Sequence, residues 1–273
     1  MNKRYGFTLI ELLVVIAIIA LLLGITVPVL HKVRAHAKAV QCSANIRELT
    51  LALTLYERTN GRFPPAFVHL FQLPFGSFSD FPGNAMHDRM GRWWFQYATE
   101  YYDGSSDLST TPLWCPSRRV QGNLSLRNNV LCGNYGVNKS ILRESQASQP
   151  QKEFAGKSLS LDELPHPART LLTADSGYAT ISWWNATSAP PKTLRRDLEN
   201  STYVPGLSIN TEKEIWPCQQ HDAFEGRHPG RKVNVGYADG HVARTKAESL
   251  GVFKTDTGYR NRVPTWTPMP RAD

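Results

Sequence analysis

No Cys-x-x-Cys pair, no phosphate loop and no long basic run occurs in these 273 residues. The first absence argues against a zinc module or a thiol redox motif, and the second removes the sequence basis for gripping a nucleotide. The third argues against nucleic acid, because that reading wants Lys and Arg clustered on one element. The net charge of +8, from 31 basic and 23 acidic residues, is instead spread along the chain. No Ser/His/Asp spacing and no paired-acid motif points to catalysis, so an enzyme is not expected. Aliphatic residues are also scarce after the first thirty positions. The remainder is polar and rich in aromatics, Gly and Pro, as in a loop-rich globular head.

What is present begins at the N-terminus. Lys3-Arg4-Tyr5-Gly6 is followed by Phe7-Thr8-Leu9-Ile10-Glu11 and then by an apolar run from Leu12 to Leu30. About 20 apolar residues suffice for a helix to cross a bilayer. A secretory signal has a shorter apolar region, of about 7 to 15 residues, with its small-residue cleavage site after it; here Gly6 precedes the run. Glu11 is the other anomaly. A carboxylate inside a span costs about 2 to 3 kcal/mol or more, which marks it as functional.

These residues resemble the type IV prepilin family, which includes pilins and the pseudopilins of type II secretion. The resemblance implies that a prepilin peptidase cuts between Gly6 and Phe7, that Phe7 is N-methylated, and that Glu11 serves assembly as a buried acid. Losing Lys3 and Arg4 would leave 29 basic against 23 acidic residues, a net charge of +6. It further implies a pilin-like α+β fold and partners among other pilin or pseudopilin subunits. The chain would sit in the inner membrane as a single-pass protein, its head periplasmic or, after assembly, at the cell surface.

Past the membrane the helix should continue, kinked at Pro28, which cannot donate to the Gly24 carbonyl. His31, Lys32, Arg34, His36 and Lys38 mark the head-group region as solvated or snorkelling cations. Ala39, Cys42, Ile46, Leu49, Leu53 and Tyr56 then recur at three- and four-residue steps, the stripe of a helix packed on one side. Asn60-Gly61 and Pro64-Pro65 end it. Trp93, Trp94, Tyr97 and Tyr101 form an aromatic group read as core packing rather than a stacking surface. Arg169–Ala174 reads as a buried strand ended at Asp175-Ser176-Gly177. Residues 66–91 read as loop, 143–160 as polar and mobile, and 185–215 as a surface insertion.

Near the C-terminus, Val233–Ala238 and His241–Arg244 flank Asp239-Gly240, the signal of a hairpin with a two-residue turn. That register pairs Ala238 with His241 and Tyr237 with Val242, and puts Val233, Val235, Tyr237 and Val242 on one buried face. His228, Asp239 and Gly240 resemble the C-terminal His-x9-Asp-Gly signature of a group of prepilin-like proteins, with one extra residue between His228 and Asp239. A metal at His228, Asp239 and His241 is not expected, and no cofactor is. Four cysteines allow three full pairings; Cys115–Cys132 is the candidate disulfide, with Cys42 a small buried hydrophobe rather than a partner of Cys218.

The expected organisation is a leader at 1–6, a transmembrane and assembly helix at 7–30, a helical spine at 31–62, and a loop-rich head at 63–273 with its hairpin at 233–244. The spine should pack on a small antiparallel sheet. The expected function is a structural subunit of a pilus or type II secretion pseudopilus. A non-polymerising, membrane-anchored binding protein is the alternative; a tethered periplasmic hydrolase lacks a catalytic constellation.

Overall fold

The computed structural model describes residues 9–69, 91–101, 111–121, 129–144, 152–190 and 202–268. One helix, α1, runs from Leu9 to Asn60, 52 residues, and passes through Pro28 without ending. Its stop is local chemistry. Gly61 takes φ +74°, and its N–H caps the Glu57 carbonyl at 2.7 Å, the positive-φ helix stop that glycine reaches most easily. The Asn60 amide donates to the Tyr56 carbonyl at 2.9 Å in the same turn.

Among the described residues nine strands follow: β1 Phe67–His69, β2 Gly91–Trp93, β3 Tyr135–Asn138, β4 Leu171–Asp175, β5 Thr180–Ile181, β6 Lys232–Tyr237, β7 Val242–Lys246, β8 Phe253–Thr255 and β9 Gly258–Arg260. The central sheet has the order β5-β3-β4-β6-β7. Its β3–β4, β4–β6 and β6–β7 pairs are antiparallel, and the β3–β5 pair is parallel. The architecture is α+β and pilin-like: a long apolar N-terminal helix whose distal half is the spine of a small, mainly antiparallel sheet.

The expected stripe on α1 is the face that packs. Ala39, Cys42, Ile46, Leu49 and Leu53 are fully buried, and Tyr56 is half-buried. The closest approach to the sheet is at Gly236 of β6. A Cβ there would lie 2.1 Å from Thr50 Oγ1 and 2.4 Å from Thr173 Oγ1, and those two hydroxyls hydrogen-bond each other at 2.8 Å. Tyr97 and Tyr101 meet Tyr56 edge-on, with ring centres 6.0 and 6.1 Å apart, while Trp93 and Trp94 are buried. The aromatic group packs in the core.

The opposite face of the sheet is also covered, by a second core of Val233, Val235, Leu171, Trp183, Val204, Leu250 and Trp266. Part of this layer comes from segments read as surface. Tyr203, Val204, Leu207 and Asn210, in the expected insertion, are completely buried, and so nearly is Phe154 in the expected mobile stretch. Their apolar residues come singly from turns and 3₁₀ helices, which have no periodicity to detect.

The hairpin differs by one residue from expectation. Gly236 pairs with Val242 and Val235 with Ala243, so the loop is Ala238-Asp239-Gly240. Tyr237 closes it, accepting from Gly240 N–H and donating to His241 O, both at 2.9 Å. Gly240 takes φ +95°, as in a three-residue loop with a left-handed final residue. The slip has a cause in the core: Ala238 is buried and its N–H donates to the Thr170 carbonyl at 3.0 Å. Val242 consequently lies on the α1 face of the sheet, opposite Val233 and Val235.

Candidate functional site

The N-terminal half of α1 is built unlike the rest of the chain. Every Leu, Ile and Val from Leu9 to Leu30 is between 43% and 82% exposed. At 1.5 Å per residue this segment is about 33 Å long, which matches the hydrocarbon thickness of about 30 Å. Burying one such side chain is worth about 1.5 to 3 kcal/mol, so the segment together represents tens of kcal/mol that the chain's own head does not capture. Glu11 lies near the start of the described part of α1. Gly6 and Phe7 lie outside the described residues.

Residues 1–27 match the family described as the prokaryotic N-terminal methylation motif. This is a prepilin-type N-terminus. Together with the single long apolar helix, it fits a single-pass, membrane-anchored protein. No curated protein and no solved structure matches the chain, so the head is read from its own geometry.

Inside the head, a buried polar cluster joins the spine, the sheet and the segment before the hairpin. Arg227 is 2% exposed and forks onto Asp222, with Nη2 2.6 Å from Oδ2 and Nε 3.1 Å from Oδ1. Its remaining donors meet the carbonyls of Asn134 at 2.5 Å and Ser176 at 3.0 Å, and Tyr203 donates to Asp222 Oδ2 at 3.1 Å. Asp175, the last residue of β4, is fully buried. Its Oδ2 accepts from the Asn234 backbone at 2.6 Å and faces His228 Nε2 at 3.0 Å, and its Oδ1 is 3.7 Å from Arg227 Nη1. Burial pushes the Asp175 carboxyl up, but His228, Arg227 and the Asn234 N–H together hold it below its ordinary value.

His228 reaches this position because the chain turns back after it. Gly230 and Arg231 take φ +73° and +51°, and His228 bridges to Lys232 at the start of β6. The imidazole is 2% exposed; Nε2 lies between Asp175 and Asn234 Nδ2, the latter at 3.1 Å, while Nδ1 is buried without a hydrogen-bond partner. Asp239 and His241 are elsewhere in kind. They pair with each other at 2.6 Å on the exposed turn, with the His241 ring stacked on Tyr237 at 4.3 Å. His228 and Asp239 therefore occupy different environments, one in the core and one in solvent.

The candidate disulfide is absent from the structure: none of Cys42, Cys115, Cys132 and Cys218 is disulfide-bonded. Cys115 sits beside Cys42 of α1, not bonded to Cys132, because both polar groups of the Trp114–Cys115 peptide are held. Asn45 of α1 donates to the Trp114 carbonyl at 2.9 Å, and the Asn134 side chain accepts from Cys115 N–H at 3.0 Å. A hydrogen bond from Cys115 lowers the Cys42 pKa, whereas burial pushes Cys115 up. One ligand atom from each of Cys42, Cys115 and His228 lies within 4.8 Å of the others. All three residues are sealed from solvent, so a thiol, imidazole and carboxylate in sequence cannot meet a substrate here. Sequence reasoning missed this cluster because its members are spread from residue 42 to residue 228. The signal available was Arg227-His228 and Asp175, charged residues abutting strands that bury both faces.

Proposed function

We propose that this protein is a structural subunit of a pilus or of a type II secretion pseudopilus. Prepilin peptidase cuts between Gly6 and Phe7 on the cytoplasmic side, Phe7 is N-methylated, and the head stands in the periplasm or at the cell surface. The observation that carries the reading is the conjunction of the methylation motif with an apolar helix segment wholly unburied by its own head. Such a surface is covered by lipid before assembly and by neighbouring helices after it. Cleavage at Gly6 would leave a cationic amine on Phe7, four residues and so one helical turn from Glu11. In a bundle the two charges, or those of neighbouring subunits, neutralise each other at low dielectric. We place His228, Asp239 and Gly240 with the C-terminal signature of prepilin-like proteins, as supports of the head.

Glu11→Leu separates anchoring from assembly. It removes the insertion cost of about 2 to 3 kcal/mol and leaves the chain in the membrane fraction. In the bundle it strands the Phe7 amine, and breaking one side of a buried pair costs about 3 to 5 kcal/mol. Crosslinking between subunits should therefore collapse while fractionation is unchanged. Undiminished crosslinking would favour the non-polymerising, membrane-anchored binding protein.

A further inference from the structure

We propose that Cys42, Cys115 and His228 form a buried binding site for a thiophilic cation of the zinc class, tying the helical spine to the sheet. The three residues are the ligand types that zinc and cuprous copper select. Each offers an atom within 4.8 Å of the other two, a spread that a tetrahedral or trigonal ion draws in by small side-chain shifts, since Zn–S and Zn–N bonds are about 2.3 and 2.0 Å.

The second observation is the state of the imidazole. His228 Nε2 faces the Asp175 carboxylate at 3.0 Å, the outer-sphere arrangement that fixes a metal-binding histidine with its other nitrogen free to ligate. That other nitrogen, Nδ1, is buried and without a hydrogen-bond partner, which is unfavourable unless something meets it. A Cys42–Cys115 disulfide would use the two sulfurs but leave Nδ1 orphaned; a cation satisfies all three atoms. Two thiolates also balance a divalent charge, and the ion would have ligands from α1, from the loop at 115 and from the turn before β6. Asp175 is a positioning residue, touching no metal.

The test uses the full chain in detergent, reduced with a phosphine and loaded with zinc or, separately, cobalt. The expected results are one zinc retained per chain after desalting, zinc-dependent protection of Cys42 and Cys115 from a thiol reagent in mild denaturant, and a raised melting temperature. Cobalt should give thiolate-to-metal charge-transfer absorption in the wild-type protein, a readout that requires no variant to fold. Cys42→Ser and His228→Gln should lose zinc retention, Cys132→Ser and Cys218→Ser should keep it, and Asp175→Asn should weaken it about 10- to 100-fold. Absence of the cobalt band, or zinc uptake that survives Cys42→Ser, overturns the site. So does a Cys42–Cys115 disulfide in protein isolated from membranes without reductant.

Discussion

Gly236→Ala isolates the contact on which the head is registered. The new methyl carbon would stand 2.1 Å from Thr50 Oγ1, 2.4 Å from Thr173 Oγ1 and 3.1 Å from Ile46 Cγ2. Relieving the first two requires a displacement of about 1 Å, given ordinary contact distances near 3.5 Å. Neither hydroxyl is free to swing away. Thr50 Oγ1 donates to the Ile46 carbonyl at 2.6 Å and is bonded to Thr173 at 2.8 Å, so the spine must lift from β4 and β6 together. Overpacking of a well-filled core costs about 1 to 3 kcal/mol, and disruption of the Thr50–Thr173 bond adds about 1 kcal/mol. The expected loss is therefore about 2 to 4 kcal/mol, read as a shift of the urea midpoint at unchanged slope. In a double-mutant cycle, Thr173→Ala should recover more than about 1 kcal/mol of it. A loss under about 0.5 kcal/mol, or no coupling to Thr173, would refute the claim that helix and sheet meet here at backbone distance.

Arg227→Met should destabilise the head by about 3 to 5 kcal/mol, since it leaves Asp222 and Asp175 buried without their cation; chemical denaturation measures it, and a loss below about 1 kcal/mol would mean that the cluster relaxes to water. Gly240→Val should cost more than about 1 kcal/mol, because a β-branched residue is strained at φ +95°. His241→Ala, which removes an exposed ring, its pairing with Asp239 and its stack on Tyr237, should cost less than about 1 kcal/mol, both variants being read by chemical denaturation.

The legible parts of the chain were those with a period. The spine stripe at Ala39, Cys42, Ile46, Leu49 and Leu53, its end at Gly61, and the β4 strand all follow from spacing and turn chemistry, because one face of a regular element must find cover. The hairpin was legible in kind but not in register: Asp239-Gly240 signals a turn, while the residue that decides the loop length is Ala238, held by Thr170 across the sheet. No local pattern encodes a partner 68 positions away. The second core layer was illegible for a related reason. Trp183, Val204, Leu207 and Trp266 are contributed one or two at a time by turns, and polar composition around them resembles a surface loop. The Cys42, Cys115, His228 group was hidden by separation alone, for Cys115–Cys132 is the nearer pair in sequence and Cys42–Cys115 the nearer in space.

One helix serving two solvents makes a further demand that can be tested. Between Leu9 and Leu30 the apolar residues face every direction and none is covered by the head, whereas from Ala39 to Glu57 one side of the helix is buried and Val40, Leu51 and Leu55 stay exposed on the other. Ala39 is the first buried residue of α1, eight positions beyond His31. A chain beginning at His31 thus loses no packed side chain and keeps two helical turns ahead of the first contact, enough to absorb fraying at the new end. Its urea midpoint should agree with that of the full chain in detergent to within about 0.5 kcal/mol. A chain beginning at Ser43 removes Ala39 and Cys42 from the core and leaves Asn45 and Ile46 in an unpaired first turn; it should lose about 2 to 5 kcal/mol, in the range of large-to-small core deletions. The difference between the two starts is the informative quantity. Were the His31 form unfolded, the membrane half would be contributing to the head, and the division of α1 into an assembly segment and a spine would be wrong.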